Sequence, residues 1–327
     1  MANCSILMSN IKGLLIVLVV LGHFMQCSLY VGKSEIGGDV YRFIYSFHMA
    51  AFIFVSGYFS KNIEKGYKDA SRKYLLPYIL MQLFTFGVKM LIYGKSSLNF
   101  LLPSYASWFL LTMFYFKVLL WHIVCWRYFL GVSFLLSILI GCVNENLMLM
   151  ALGRSISFAP FFLLGYVTSE ISIDKIRRLA HKYMFFIICG YIFAFRWLIY
   201  KYPSRRIFYF AESYSSFKLS MVDGMFAHTI VLLLGILAII LLIKYIPENE
   251  CIFTQLGKNT LNIYFIHVFF FYLARKYQFL NTNTVYDWLS IFVYSFFVIW
   301  ILSRRIVKSH FTDIINCLHN TLFRYHN

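Results

Sequence analysis

The sequence predicts an all-α, polytopic integral membrane protein with about ten transmembrane helices and both termini in the cytoplasm. Its 327 residues are 61% hydrophobic and only 13% charged, a balance that soluble domains of this length do not show. Apolar stretches near twenty residues, the length that crosses a bilayer, recur along the chain. We therefore expect one transmembrane domain over 1–327, with spans over about 11–302 and a short cytoplasmic tail over 303–327.

The predicted spans follow one another with mostly short connections. The first is too long and too uniformly apolar for the core of a signal peptide, and no small-residue cleavage site follows it, so we expect it to be retained. The fifth and sixth are the shortest. In chain order the ten stretches are 11–31, 41–59, 74–93, 108–126, 128–143, 156–171, 183–200, 225–246, 261–277 and 285–302.

The distribution of Lys and Arg predicts the orientation. If the N-terminus is inside, the inner loops and the tail carry more Lys and Arg than the outer segments. Lys33 and Arg154 are among the cations of the outer segments. This excess on the inner side favours the N-in and C-in orientation. The net charge of +17 has two interpretations, anchoring beside anionic lipid or binding of a polyanionic cosubstrate. Nucleic acid is excluded as a partner, because no basic soluble domain could carry it.

Three histidines fall near the middle of three predicted spans. His23 lies eleven residues after Lys12, roughly 16 Å along the helix axis, and His48 lies eleven residues before Phe59. His267 follows Lys258 by nine residues, about 13 Å. An ionisable side chain at this depth is costly, so it indicates function or a specific partner.

The three imidazoles admit two mechanisms, a general base acting on a hydroxyl or a proton relay through a transporter. No Asp or Glu lies in the middle of a span, since Glu170 and Asp223 stand at span ends, and this favours the base. A bound metal is not expected, because no HExxH-type spacing or accompanying carboxylate supports it.

Cations and aromatic residues mark the two ends of the predicted bundle. Four cations lie at the predicted inner rim: Lys12, Arg72, Lys73 and Lys258. They either make charge-assisted contacts to phosphates or extend along the helices to place their charges at the membrane surface. On the outer side, the tyrosine-rich loop 201–224 is suited to contact a sugar or to form an interfacial aromatic belt.

The motifs, in order over residues 10 to about 302, resemble the membrane acyltransferase-3 family, which O-acylates bacterial surface polysaccharides and related glycans. Lys12 and His23 match its basic-x10-His motif, although arginine is common at the first position. The segment 47–58 resembles F-H-x-P-x-F-x-x-x-S-G-Y, with Ala50 in place of the proline. The remaining similar segments are Arg72 to Tyr78, Trp108 to Leu110, Phe161 to Tyr166 and Gly257 to His267.

The resemblance implies transfer of an acyl group, usually acetyl from cytoplasmic acetyl-CoA, to a carbohydrate hydroxyl, with no permanently bound cofactor. It implies that Lys12, Arg72, Lys73 and Lys258 hold the CoA phosphates. His23 would be the general base, His48 would orient it or stabilise the oxyanion, and the supporting residues would be Ser56, Tyr264, His267 and Trp108. A covalent acyl-histidine is the alternative to direct transfer.

The resemblance also implies a setting. It predicts a multi-pass protein of the inner (plasma) membrane of a bacterium, with the lipid bilayer, an acyl-CoA, a carbohydrate acceptor and polysaccharide-assembly proteins as partners. The competing hypothesis is a glycan exporter or flippase in which the histidines line a polar pathway.

Overall fold

The computed structural model describes residues 4–28 and 35–322, and over these residues the chain is all-helical. The α-helices in chain order are α1 (Cys4–Met25), α2 (Glu35–Tyr45), α3 (His48–Tyr58), α4 (Ile63–Lys68), α5 (Leu76–Tyr93), α6 (Trp108–Ile123), α7 (Phe129–Leu139), α8 (Leu152–Val167), α9 (Glu170–Lys201), α10 (Met221–Tyr245), α11 (Ile252–Lys258), α12 (Thr260–Tyr277), α13 (Val285–Leu302) and α14 (Arg305–Leu322).

Each predicted span contains a helix, and the protein is a polytopic membrane protein. In the described part of the chain seven helical stretches are long and apolar enough to cross a membrane, and Trp108–Ile123 and Phe129–Cys142 are shorter apolar helices. Helix α1 begins at Cys4, earlier than the predicted start at residue 11. The end of that predicted span, 29–31, and Lys33 lie outside the described residues.

Helix α1 lies at the centre of the bundle. It packs against α3, α11, α12 and α13, and most of its side chains are buried, Leu15 and Ile16 completely. Because α1 is apolar on all sides, it is suited to an interior position, and the polar residues it carries face other protein elements. The core therefore surrounds the helix that carries Lys12 and His23.

The second predicted span is broken rather than continuous. Helix α2 ends at Tyr45 and α3 begins at His48, with Ser46 and Phe47 between them. The Ser46 hydroxyl donates to the carbonyl of Phe43 at 2.7 Å and lies 2.6 Å from the Tyr191 hydroxyl, so a buried polar group is satisfied at the break. The break places His48 in the first turn of α3.

Glycines at two helix pairs allow backbones to touch. A Cβ atom added to Gly57 would overlap the carbonyl oxygen of Phe162, and one added to Gly165 would overlap that of Phe54, so α3 and α8 approach through both glycines. Gly13 and Gly257 form the same reciprocal arrangement between α1 and α11. Small residues permit such close packing of membrane helices. This packing explains why three of the sequence motifs contain a glycine.

One end of the bundle gathers cations of the predicted cytoplasmic side. The Lys61 ammonium donates to the Thr168 carbonyl at 2.7 Å, at the C-terminus of α8. Lys117 donates to the Ser60 hydroxyl at 2.6 Å, and Arg72 to the Asn316 side chain of α14 at 2.6 Å. We call this end the inner end, following the predicted orientation.

Candidate active site

A cavity of about 320 Å³ opens toward the opposite, outer end of the bundle. Helices α1, α2, α3, α6, α8 and α12 contribute to its walls, together with the loops before α6, before α8 and before α10. We name it the histidine cavity, and its lining residues are His23, Gln26, Tyr45, His48, Met49, Pro103, Tyr105, Trp108, Met148, Ala151, Arg154, Phe158, Phe208, Tyr209 and Tyr264.

His23 lies in this wall and is bonded through one ring nitrogen. Its Nδ1 is 2.6 Å from the Tyr105 hydroxyl and 3.4 Å from the Tyr45 hydroxyl. Its ring stacks on His267, with centroids 5.2 Å apart and planes inclined by 18°. The structure therefore brings two of the three predicted histidines into contact.

Gln26 determines which nitrogen of His23 carries the proton. The Tyr105 hydroxyl donates to the Gln26 side-chain carbonyl at 2.8 Å, while the Gln26 amide group donates to Tyr41. An amide oxygen only accepts, so the single proton of Tyr105 is committed to Gln26. Tyr105 must then accept from Nδ1–H of His23, which leaves Nε2 of His23 with a free lone pair. A neutral imidazole in this tautomer can take a proton at Nε2.

The other two histidines are held in the same tautomer by backbone carbonyls. Nδ1 of His48 donates to Ile44 at 2.8 Å, and Nδ1 of His267 donates to Ile263 at 3.0 Å. Nε2 of His267 is buried without a hydrogen-bond partner. His48 lines the cavity, whereas His267 is not among the lining residues and stacks on the ring of His23. In this tautomer neither can donate a hydrogen bond from Nε2.

Tyr105 is held in a restricted conformation. Its backbone φ is +51°, in the left-handed region that bulky residues seldom occupy, and this kind of strain concentrates at functional sites. Its ring stacks on Phe271 with centroids 4.1 Å apart. Burial raises the pKa of Tyr105 well above its ordinary value, so the phenol stays protonated at neutral pH.

Among the residues that the structure describes, Arg154 is the one permanently charged side chain that lines the histidine cavity. Its guanidinium lies over the Trp108 ring, 4.8 Å from the centroid, and its Nε is buried without a hydrogen-bond partner. Trp108 in turn stacks on Phe158, with centroids 5.5 Å apart. The cavity thus combines aromatic walls, hydrogen-bond acceptors and one positive charge.

A second cavity of about 250 Å³ lies nearer the inner end. We name it the lysine cavity, and its lining residues are Lys12, Phe52, Ser56, Lys73, Tyr74, Phe109, Leu110, Thr260, Leu261 and Tyr264. Its two ammonium groups come from α1 and from the π-helical turn Ser71–Leu75 before α5. Lys73 also pairs with Asp69 at 2.7 Å.

Aromatic side chains separate the two cavities. Tyr264 lines both, and its hydroxyl donates to the Ala106 carbonyl. Phe109 packs against Tyr264 with centroids 5.4 Å apart and against Phe52 with centroids 5.3 Å apart. We call Phe52, Phe109 and Tyr264 the aromatic partition. A direct route between the two cavities passes Tyr264, the residue that lines both.

Several predicted site residues lie elsewhere than the histidine cavity. Ser56 lines the lysine cavity, where its hydroxyl donates to the Phe52 carbonyl at 2.9 Å. Arg72 bonds Asn316, Lys258 lies 3.6 Å from the Glu250 carboxylate, and neither lines the histidine cavity or the lysine cavity. Of the four predicted phosphate contacts, the structure brings Lys12 and Lys73 together and directs the other two away.

Sequence reasoning missed Gln26, Tyr105 and Arg154. Gln26 follows His23 by three residues, so it lies on the same helix face, and that spacing could have identified it. Tyr105 lies in the loop before α6 and reaches His23 only through the tertiary fold. The sequence predicts Arg154 to be a cation of an outer loop. In the structure α8 begins earlier than predicted, after the left-handed residues Met150 and Ala151, and Arg154 therefore lies in the wall of the histidine cavity.

The described residues contain no group of three or more His, Cys, Asp or Glu that could hold a metal ion. The histidine cavity itself is lined by imidazoles, phenols and a guanidinium. A lone pair on a positioned imidazole, next to a cavity that admits a hydroxylated ligand, suits proton abstraction from a hydroxyl.

Comparisons with known proteins agree with the motifs. The chain is similar to the nodulation protein NolL of Mesorhizobium japonicum, at 37% identity over 73 residues, which is 20% of this chain and 20% of NolL. No solved structure matches the chain. The family model described as an acyltransferase domain matches residues 8–304, nearly the whole chain. The chain therefore belongs to the membrane acyltransferase-3 family.

Proposed function

We propose that the protein transfers an acetyl group from cytoplasmic acetyl-CoA to a hydroxyl of a surface polysaccharide or of its lipid-linked precursor. One observation carries the proposal. A cavity with two lysines and a cavity with a positioned histidine lie at two levels of one bundle and share Tyr264. This arrangement suits a donor that enters from one end and an acceptor that enters from the other.

The donor occupies the lysine cavity in this proposal. Lys12 and Lys73 supply two positive charges for the phosphates of CoA, and charge-assisted hydrogen bonds of this kind are the stronger ones. Arg72 and Lys258 contribute at the rim, through longer-range attraction. The thioester end of the pantetheine arm then points along α1 toward His23 and passes the aromatic partition.

The acceptor occupies the histidine cavity. The cavity volume of about 320 Å³ lies at the lower end of the range for small-molecule sites. Tyr105, Tyr209 and Trp108 offer aromatic faces for a sugar ring. Nε2 of His48 carries no proton, so it cannot donate a hydrogen bond to the oxyanion as the resemblance implies. In this proposal it instead accepts a hydrogen bond from a sugar hydroxyl.

The chemical step joins the two ligands at His23. The acceptor hydroxyl oxygen attacks the thioester carbonyl carbon while its proton passes to Nε2 of His23, and a tetrahedral oxyanion forms. The carbon–sulfur bond then breaks, the sulfur takes the proton from His23, and the products are an O-acetyl ester and free CoA. We assign Tyr45, whose hydroxyl also lines the cavity beside His23, as the hydrogen-bond donor to the oxyanion, because the proton of Tyr105 is committed to Gln26.

The activity sets the location. Because the donor is cytoplasmic and the acceptor belongs to the cell surface, we place the protein in the inner (plasma) membrane of a bacterium, beside polysaccharide-assembly proteins that supply and remove the acceptor. The predicted N-in and C-in orientation directs the lysine cavity toward the cytoplasm.

The test uses membrane vesicles that contain the protein, radiolabelled acetyl-CoA and a surface glycan from a strain lacking the gene. We expect label in the glycan, a mass increase of one acetyl group per modified site, and strict dependence on the donor. Glycan movement across the vesicle membrane without any acyl donor would instead support the exporter hypothesis. Absence of label with every acyl-CoA offered would contradict the proposal.

A further inference from the structure

Arg154 is a charged group that the proposed reaction does not use. The transfer requires a base and an acceptor hydroxyl, yet this guanidinium lines the same cavity as His23. Its position on the first turn of α8 places it toward the outer mouth, away from the lysine cavity that receives the donor. A permanent charge in a partly enclosed site is costly when nothing compensates it.

No described residue forms an ion pair or a hydrogen bond with the guanidinium of Arg154, and its buried Nε has no partner. Among the described residues no Asp or Glu lines the histidine cavity. Glu212, from the outer loop, attracts the charge of Arg154 without contacting it, and its carboxylate is paired with Arg206 at 2.8 Å.

A purely structural role does not account for the arrangement. The Trp108 ring provides a cation–π contact to the guanidinium, with its central carbon 4.8 Å from the ring centroid. This contact satisfies none of the five N–H donors of arginine, and a structural arginine normally has them satisfied. A guanidinium held beside an aromatic ring, with no hydrogen bond to a described residue, suits bidentate binding of a carboxylate or phosphate.

We propose that Arg154 selects an acceptor sugar that carries an acidic group, a carboxylate or a phosphate. The acidic group pairs with Arg154, and the sugar ring lies along the aromatic wall with a hydroxyl directed to His23. This inference rests on the proposed function, because it takes the bound sugar to be the acceptor of the acyl group. The preference for an acidic sugar can be measured without any acyl transfer.

The test measures binding of simple sugars to the purified full-length protein in detergent. The probes are methyl β-glucuronide, glucose 6-phosphate and the neutral methyl β-glucoside, and the readout is the concentration that gives half of the maximal thermal shift. We expect at least one acidic sugar to bind tenfold or more tightly than the glucoside. The tighter of the two acidic probes identifies the acidic group. Equal concentrations for all three probes would overturn the proposal.

Variants connect the preference to Arg154. We expect Arg154→Gln to abolish the preference and Arg154→Lys to keep part of it. Lys218→Gln, which removes an exposed cation of the outer loop that does not line this cavity, should leave the preference unchanged. A preference that survives Arg154→Gln would also overturn the proposal. His23→Gln should keep the preference while acyl transfer is lost, so a failure of the proposed reaction and a failure of this inference give different results.

Discussion

The Tyr105 hydroxyl lies 2.6 Å from Nδ1 of His23 and donates its own proton to Gln26 at 2.8 Å. These three residues join the loop before α6 to His23, in the last turn of α1, and to Gln26, the residue directly after that helix. This arrangement fixes the imidazole in one tautomer and one orientation without any carboxylate. A histidine positioned in this way by neutral partners keeps its basic nitrogen available in a site with few other charges.

Tyr105→Phe should lower the rate of acyl transfer without weakening binding of either substrate. The substitution removes the acceptor of the Nδ1–H bond, and we expect kcat to fall about tenfold, a part of the roughly 10²- to 10⁴-fold that a general base contributes. KM for donor and acceptor should change little. Tyr214→Phe is the control, because its hydroxyl donates to the Ile138 carbonyl at 2.6 Å and its side chain lines neither the histidine cavity nor the lysine cavity. A rise in KM at constant kcat would contradict the positioning role.

The lysines of the inner cavity should govern the affinity for the donor. Lys12→Ala and Lys73→Ala should each raise KM for acetyl-CoA about tenfold, because each removes a charge-assisted contact to a phosphate. Arg72→Ala and Lys258→Ala should have smaller effects, since these side chains bond Asn316 and face Glu250. Lys65→Ala, in the exposed helix α4, is the control. Equal effects of all five variants would indicate a diffuse attraction instead of a site.

The aromatic partition should keep water from the thioester until an acceptor is bound. Phe109→Ala removes the ring that packs against both Tyr264 and Phe52, so we expect acetyl-CoA hydrolysis without acceptor to increase several-fold. Phe116→Ala, which removes a similarly buried ring packed on Phe162, is the matched control. Release of CoA thiol in the absence of glycan measures this rate. An unchanged rate in Phe109→Ala would show that the partition does not separate the donor from water.

The motif glycines should be necessary for folding rather than for chemistry. Gly57→Ala or Gly165→Ala would force α3 and α8 apart, because the new Cβ overlaps a backbone carbonyl that cannot move independently. We expect both variants to lose most of the folded protein in detergent, as measured by size-exclusion chromatography and thermal unfolding. Gly131→Ala is the control, since no atom lies within 4 Å of its added Cβ. Well-folded but inactive Gly57→Ala protein would argue for a catalytic role of this position.

Hydropathy was sufficient to predict the helices but not their breaks. Each long apolar stretch contains a helix, since backbone groups in a membrane must bond within the chain. The interruption at Ser46 and Phe47 has no proline or glycine, and depends on the Tyr191 hydroxyl from α9. A contact between distant segments cannot be recognised from local composition.

The site was predictable to the extent that spacing along a helix determines depth. The distances of His23 and His267 from their span ends predicted that they lie at similar levels, and their rings stack at 5.2 Å. Depth does not fix direction around the helix axis, which is why Arg72 and Lys258 were grouped with Lys12 and Lys73. The positions of the Tyr105 and Arg154 side chains depend on a left-handed backbone at Tyr105, Met150 and Ala151. Tyr, Met and Ala seldom adopt this conformation, so the sequence does not indicate it.

The most direct test of the account is the rate of acyl transfer by His23→Gln, measured as label passing from radiolabelled acetyl-CoA to the glycan at saturating donor. The account predicts a fall in kcat of about 10²-fold or more, with donor affinity preserved and with His122→Gln, an exposed histidine at the end of α6, fully active. Undiminished transfer by folded His23→Gln protein would contradict the assignment of His23 as the base.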